Sequence, residues 1–483
     1  MTEAETLLRE IGDFCRRTGM AESTFGRHAV NDGKLVTRLR YGGRVTTRTV
    51  ERVRDYMIAA PSGGPLRNRP NGTATAPGNG TAAPVPHAGA ASAAMTLPTA
   101  PSQPTEGEEQ GERTFRFYDN RQKYLLFVHT CGEKWVVADR VGMELQHLHP
   151  QPPALRVFDA GMGDGTVLTR VMRKMHTRYP TMPFYITGKE ISLEDVRLTL
   201  EKMPDRFYEH PATVLVVTNL YYTEAPWLTP RSLAAAASLE WHEVPLQGTT
   251  AHEFEQQITA LQPFLAQNWN VRRSAKTGNP LYERPTVLVL YRDDYRFMLD
   301  QVIPHPGRAR ADYDLVIASQ PYRARMPVDF KAEKVVAPLA KALAPGGRLI
   351  GIHSSGGDPG MEVIRNVWPQ ENPFADDRHA ILKSAKAALG AAGRDLNFNA
   401  YADRRSIFRY DMHTLPREIG AAIGTSTLFA AWNAAIYVAQ IEDERLADVI
   451  SSGQWLEATR DVLQRHGGLW FNDESFVISR RRD

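Results

Sequence analysis

The segment Val157-Phe158-Asp159-Ala160-Gly161-Met162-Gly163-Asp164-Gly165-Thr166 carries more chemical information than any other in the chain. An apolar run (Leu155, Val157, Phe158) reads as a buried parallel strand. It ends in an acidic residue, then glycines at alternate positions, then a helical stretch from Val167 to Lys174. Glycine there lets the backbone turn tightly and leaves room for a ligand against the main chain. The following helix would present its N-terminal amides to that ligand. The spacing is D-x-G-x-G-x-G, which differs from the G-x-G-x-x-G of dinucleotide-binding folds.

Three later positions could complete a site. Glu190 ends Phe184-Tyr185-Ile186-Thr187-Gly188-Lys189-Glu190, about 20–30 residues past the loop, where a carboxylate can accept hydrogen bonds from both hydroxyls of a ribose. Its structural alternative is a local partner for Ser192 at the next helix start. Asn219 follows the apolar run Val214 to Thr218 and could instead make a local turn. Asp314-Leu315-Val316-Ile317-Ala318 runs into the polar turn Ser319-Gln320-Pro321-Tyr322.

The glycine loop resembles motif I of the class I S-adenosylmethionine (SAM)-dependent methyltransferases, and the four strand ends fall in the order such an enzyme needs. The resemblance spans roughly residues 115 to 480. It implies SAM as cofactor and S-adenosyl-L-homocysteine as its product. It implies that Asp159 holds the cofactor ammonium, directly or through water, and that Gly161, Met162, Gly163, Asp164 and Gly165 cradle the methionine part. Glu190 would take the ribose, and Asn219 the adenine amino group. Ser-Gln-Pro-Tyr resembles the [DNS]-P-P-[YF] of enzymes that methylate exocyclic or amide nitrogens. Ser319 and Tyr322 would then accept and stack on the target, with Gln320 and Pro321 completing the catalytic turn. Gln320 stands where that family has proline, which departs from the pattern. A target base inside a duplex would have to be flipped out. Catalysis would rest on alignment and water exclusion, with a base needed only where the nucleophile must lose a proton. His353, Asp358 and His413 are the candidate bases.

The elements that must position these groups read as an alternating α/β pattern: strand 155–159, helix 165–178, strand 184–188, helix 192–203, strand 213–218. The pattern resumes with strand Tyr313 to Ala318, helix 330–343, strand 348–353 after the turn Pro345-Gly346-Gly347, and a closing strand 475–479. Such alternation predicts a doubly wound, Rossmann-like sheet with ligands at the carboxyl ends of its strands. An insert, 223–310, interrupts it with strand Leu239 to Val244, helix His252 to Gln267 and strand Thr286 to Tyr291. Leu428 to Ile441, with Phe429, Trp432, Ile436 and Tyr437, reads as a buried helix or a dimer face. Phe117 to Tyr124 reads as packed aromatics or a lid.

Residues 1–60 read as a separate all-α module, residues 61–112 as a disordered Pro/Gly/Ala-rich linker, and residues 113–483 as the catalytic domain. In the module, Leu7, Leu8, Ile11 and Phe14 have helical spacing, followed by helices Glu22–Val30, Lys34–Arg40 and Thr47–Ile58. Thr18 to Arg27 resembles the helix-turn-helix of lambda-repressor-like and LacI-like regulators. That resemblance implies Arg27, Lys34, Arg38, Arg40, Arg44 and Arg48 on phosphates and Ser23 and Thr24 near base edges. The module also carries eight acidic residues beside eleven basic ones, so a protein-binding bundle with solvated arginines is the alternative.

The chain has 483 residues, is 42% hydrophobic and 23% charged, and carries two cysteines and a net charge of +3. No apolar run reaches the roughly 20 residues that span a membrane, and residues 1–17 lack the apolar core of a secretion signal. Cys15 and Cys131 make no disulfide framework, and no zinc cluster is expected, which fits a reducing cytoplasm. The leading expectation is a SAM-dependent methyltransferase with an unidentified acceptor, a nucleic-acid nitrogen being one version. Methylation of a protein or small molecule, or a non-catalytic SAM-sensing regulator, are the alternatives. DNA, through the N-terminal module, and a second copy of the chain are the candidate partners.

Overall fold

The structure, a computed structural model, describes residues 3–18, 20–30, 32, 35–40, 47–59, 121–275, 279–413 and 423–482. The expected linker 61–112 therefore lies outside the described residues. The chain divides into two compact units, Met1–Thr105 and Glu106–Asp483.

In the first unit, four helices are described: Glu3–Thr18, Glu22–Val30, Leu35–Arg40 and Thr47–Ala59. The helical spacing of Leu7, Ile11 and Phe14 places these side chains on one buried face, against Phe25, Leu35, Leu39 and Val53. Phe25 sits between Phe14 and Tyr56, with ring centroids 5.3 and 5.4 Å away.

The second unit is a mixed α/β fold around one large sheet. Its strands are β1 (Leu155–Asp159), β2 (Phe184–Lys189), β3 (Thr213–Thr218), β4 (Glu240–Leu246), β5 (Val271–Arg273), β6 (Pro280–Tyr282), β7 (Thr286–Arg292), β8 (Tyr313–Ser319), β9 (Leu343–Ser354), β10 (Leu396–Asn399), β11 (Ile407–Asp411) and β12 (Trp470–Arg480). The order is β10-β12-β9-β8-β1-β2-β3-β7-β4, with β11 beside β12, and β5–β6 form a separate hairpin. β3-β2-β1-β8-β9 are parallel, while β12 runs antiparallel to β9. Chain order reverses direction between β1 and β8, which is where a doubly wound sheet opens a crevice.

Both sheet faces are covered, so the strands are apolar on both sides. Val157, Ile186, Leu215, Ile317 and Ile350 pack on one face against helices Thr166–Arg178 and Leu193–Leu200. Phe158, Tyr185, Val216, Val316 and Leu349 pack on the other, against the helical stretch from Val328 to Lys341 and helix Arg378–Leu389. That stretch widens into a π-turn at Ala332–Val336. Pro338, one turn on, has no N–H to donate to the carbonyl four residues back, which breaks the regular ladder.

The insert 223–310 joins this sheet: β7 pairs antiparallel with β3, and β4 pairs parallel with β7 on its far side. Its single expected helix is two, Ala251–Thr259 and Gln262–Asn268. Pro263 falls in the first turn of the second, where its missing N–H costs nothing. The first opens on a capping box between Thr250 and Glu253. The closing strand is longer than expected because β12 is held by β9, β10 and β11 together. The stretch expected at Leu428 to Ile441 falls on helix Thr425–Val438: Trp432, Ile436 and Tyr437 are buried against helices Pro359–Val367 and Gln454–His466 and Phe127, while Phe429 is exposed. No described helix is long and apolar enough to cross a membrane.

Candidate functional site

A cavity of about 930 Å³ lies at the carboxyl ends of β1, β2, β8 and β9. Gly161, Gly163, Glu190, Ser319, Gln320, Pro321 and Tyr322 all line it. Residues up to 160 positions apart in sequence thus meet at one sheet edge.

The glycine loop has the backbone its sequence requires. Gly163 and Gly165 take φ +52° and +75°, which only glycine adopts without strain. A Cβ on Gly165 would stand 2.7 Å from the Thr199 hydroxyl. A Cβ on Gly161 would meet only the Tyr222 hydroxyl, at 4.0 Å, so the loop is open towards the cavity. The Gly163 amide donates to Glu190 Oε2 at 3.0 Å, while Oε1 accepts from the amides of Ile191 (2.7 Å) and Ser192 (2.9 Å). A carboxylate offers about four lone-pair sites, so these three donors leave room for one further hydroxyl rather than the expected two. Burial pushes Glu190 above its ordinary range, with Lys189 opposing the shift.

Asp159 is buried, and its Oδ1 accepts from the Gly161 amide at 3.3 Å. Burial raises it to about 7; the Gly161 bond opposes this, while the charge on Glu190 adds to it and Lys134 subtracts. Lys134 itself lines the cavity beside Glu133, 3.5 Å away. Burial works against its charge, yet Glu133 and Asp164 hold it above the usual lysine range.

Three expected cofactor residues are used differently. Asp164 accepts from the Thr166 hydroxyl (2.5 Å) and amide and from Lys202 Nζ (2.8 Å), so its side chain is spent on the first residue of helix Thr166–Arg178 and on Lys202. Although burial pushes it up, these bonds hold it below its ordinary value. Met162 is buried, its sulfur lying where a Cβ on Gly188 would be. Neither lines the cavity. Asn219 is likewise outside the lining. Its amide donates to the Arg284 carbonyl (2.8 Å) and its oxygen accepts from the Thr286 amide (2.8 Å). It therefore pins the start of β7 to the end of β3, a demand created by the insert.

At the end of β8, Gln320 has φ +47°, an uncommon conformation for a side chain of this size. Its Nε2 reaches Ser354 Oγ (3.1 Å), Asp473 Oδ1 (3.3 Å) and Glu133 Oε1 (3.4 Å). The Pro321 carbonyl accepts from the Tyr222 hydroxyl at 3.0 Å. Tyr322 presents its ring to the cavity and its hydroxyl to His353 Nδ1, 2.8 Å away. His353 Nε2 lies 2.7 Å from Glu474 Oε1, and Glu474 also accepts from the amide and guanidinium of Arg378, each at 2.8 Å. Burial, then the charge on Glu474, push the Tyr322 hydroxyl well above the usual tyrosine range. Burial works against the charge on Glu474, but His353 and Arg378 hold it below its ordinary value.

The other candidate bases are elsewhere engaged. Asp358 caps helix Pro359–Val367 through the Met361 amide, and burial lifts it to about 6. His413 stacks on Trp135 at 5.2 Å. Tyr124, Phe127, Glu133, Lys134, Tyr410 and Tyr437 line the cavity without any local motif that announces them. Of the lid segment, only 121–124 falls within the described residues. Among the described residues no cluster of His, Cys, Asp or Glu is placed to hold a metal ion.

In the first unit, Ser23 and Arg27 are exposed and Thr24 is half-buried on helix Glu22–Val30. Arg40 is paired with Glu22 at 2.9 and 3.0 Å, so its charge is met locally. Lys34 and Arg44, and the side chains of Arg38 and Arg48, lie outside the described residues.

A large, mostly parallel sheet with a glycine loop, a carboxylate and a polar turn at one edge defines a doubly wound α/β protein with a cavity at its strand ends. No protein-family model and no curated protein matches the chain. Solved structures to which it is similar include methyltransferases, a cyclopropane synthase and a [4+2]-cyclase. One is described as a sarcosine dimethylglycine methyltransferase from Galdieria sulphuraria, with a TM-score of 0.29 and 9% identity over 72% of this chain and 86% of its own. The cyclopropane synthase MmaA2 from Mycobacterium tuberculosis gives 0.26 and 11% over 71% and 83%. The geranyl diphosphate C-methyltransferase of Streptomyces coelicolor, crystallised with S-adenosyl-L-homocysteine, gives 0.26 and 12% over 71% and 80%. At such scores and identities these likenesses decide nothing about the chemistry of this chain.

Proposed function

We propose that the chain is a SAM-dependent methyltransferase whose acceptor lies against Ser319 to Tyr322. One observation carries this reading: a single cavity is lined by the glycine loop and Glu190 on one side and by the Ser319–Tyr322 turn on the other. Gly161 and Gly163 leave the main chain open to a ligand, and Glu190 keeps one acceptor site for a ribose hydroxyl. Asp159, buried behind Gly161 and outside the cavity lining, would hold the cofactor ammonium through the loop or a water.

Bound SAM supplies a methyl group on a positively charged sulfur, an electrophile that needs no activation by the protein. The chain's own contribution is alignment and exclusion of water. Aromatic walls from Tyr124, Phe127, Tyr322 and Tyr437 keep the site dry. Where the acceptor carries a proton it must lose, Tyr322 stands at the head of the relay through His353 to Glu474, whose hydrogen bonds of 2.8 and 2.7 Å suit proton hand-over.

The test is transfer of label from methyl-labelled SAM into a cell extract, separated into nucleic acid, protein and small molecules, with Gly163→Asp as the blank. Label above that blank in any fraction supports an enzyme and names its acceptor class. SAM bound stoichiometrically with no transfer would replace the enzyme by a SAM-sensing regulator.

A further inference from the structure

Below the Ser319–Tyr322 turn, the cavity floor gathers oxygen atoms faster than it gathers donors. The Gln320 amide has two N–H groups, and three oxygens, on Glu133, Ser354 and Asp473, converge on its nitrogen at 3.1–3.4 Å. Asp473 is fully buried, and among the described residues its Oδ2 has no hydrogen-bond partner. The hydroxyl of Tyr410, in the wall of the same cavity and 1% exposed, also has none. Buried polar groups are almost always paired, so two in one cluster mark a place built for a ligand.

The charge balance says which ligand. Glu133 and Asp473 face each other across Gln320. Asp358 adds a third carboxyl nearby, though its two oxygens are taken by the amides of Met361 and Asn472. The cation at hand is Lys134, 3.5 Å from the other oxygen of Glu133. Phe127 and Tyr410 close the side, with ring centroids 6.1 Å apart, and Tyr437 lies tilted against Phe127 at 4.8 Å. Carboxylates within an aromatic wall are the surroundings that favour a positive nitrogen.

We propose that the acceptor enters as a cation, an amine-bearing molecule whose ammonium displaces the Gln320 amide and is held by Glu133, in the cavity lining, and by Asp473, buried behind Gln320. This rests on the methyltransferase reading and names its substrate class. The ammonium is the recognition group; the atom to be methylated lies beside Tyr322. Burial, reinforced by Glu133, holds Asp473 well above the usual carboxylate range, so it keeps its proton until a cation arrives. Binding the ammonium then releases that proton to solvent.

The experiment uses the full chain saturated with S-adenosyl-L-homocysteine, titrated calorimetrically with phenethylammonium, 2-phenylethanol and phenylacetate. Phenethylammonium is expected to bind at least about tenfold more tightly than the neutral and anionic analogues, as a charged hydrogen-bonded pair provides. Its apparent enthalpy should vary with the ionisation enthalpy of the buffer, the mark of proton release. Asp473→Asn should abolish the buffer dependence and weaken the amine about tenfold while S-adenosyl-L-homocysteine still binds. Should Asp473→Asn not fold, Tyr410→Phe, which keeps the ring and loses only the orphan hydroxyl, should weaken the amine while leaving the buffer dependence and S-adenosyl-L-homocysteine binding in place; amine affinity unchanged in that variant would overturn the site. Equal binding of amine and alcohol, or no amine binding beside intact S-adenosyl-L-homocysteine binding, overturns the inference alone. Failure of S-adenosyl-L-homocysteine to bind, read first and separately, overturns the methyltransferase reading beneath it.

Discussion

The Tyr322 hydroxyl lies 2.8 Å from Nδ1 of His353, and the far nitrogen of that ring lies 2.7 Å from Glu474. The geometry sets a tautomer: Nε2–H donates to the carboxylate, which leaves Nδ1 to accept from tyrosine. Arg378 in turn holds Glu474 by two bonds.

If that relay takes the acceptor's proton, removing its head should slow transfer without touching the cofactor. Tyr322→Phe is expected to lower label transfer about 10²–10⁴-fold, the usual worth of a placed acid or base, with SAM affinity unchanged. His353→Gln should show the same loss, again with SAM affinity unchanged. A Tyr322→Phe enzyme with wild-type rate would remove the relay from the reaction.

The glycine loop separates two effects. Gly165→Ala forces a side chain to φ +75° with its Cβ 2.7 Å from Thr199 Oγ1. It should destabilise the unit by about 1–3 kcal/mol, seen as a lower urea midpoint. Gly163→Asp also puts a side chain at positive φ, but its Cβ would meet only the Tyr124 hydroxyl at 3.5 Å, so it adds a carboxylate in the cavity beside the loop and should abolish SAM binding in calorimetry. Unaltered affinity in that variant would place the cofactor elsewhere.

Asp159 gives a pH signature. Its pKa is raised to about 7 in the free protein, so the neutral form is favoured on folding. Stability therefore falls as pH rises from the unfolded value near 4 towards 7 and is level above it. Cofactor affinity should run the other way, because an ammonium needs the ionised carboxylate. It should rise with pH up to about 7 and then flatten. Asp159→Asn should remove the rise; affinity independent of pH in the unaltered chain would contradict the assignment.

Glu190 and Asn219 should part company. Glu190→Gln loses charged hydrogen bonds to the loop and one to the ribose, and SAM affinity is expected to drop about 10–100-fold. Asn219→Ala strands the Thr286 amide and the Arg284 carbonyl, and should cost about 1–3 kcal/mol of stability with affinity within about twofold. The reverse pattern would return Asn219 to the cofactor.

Local pattern made much of this protein legible. Strand 155–159, the glycine turn and the helix after it lie where period and glycine spacing put them, because those are short-range preferences of the backbone. The same holds for the runs at 184–189, 213–218 and 313–319, whose continuous apolar character marks strands buried on both faces. The insert was read as an interruption, since nothing in Thr286 to Tyr291 says which strand it will pair with. Asp164 and Met162 sit in the motif, yet their side chains face a helix terminus and the next strand. Motif spacing sets where a backbone turns, and side-chain direction depends on what packs around it.

The sequence by itself determined that the chain must turn on glycines after a buried strand, and that an acidic residue, a carboxylate and a polar turn would end successive strands. The tertiary structure alone decided that Glu133 and Asp473, 340 positions apart, meet at the Gln320 amide, that Glu474 completes the relay from Tyr322, and that Asn219 is spent on β7. The reason is physical. Turns and periodicities are settled within a few residues. A hydrogen bond between distant side chains exists only once sheet order and register have brought its partners to the same edge.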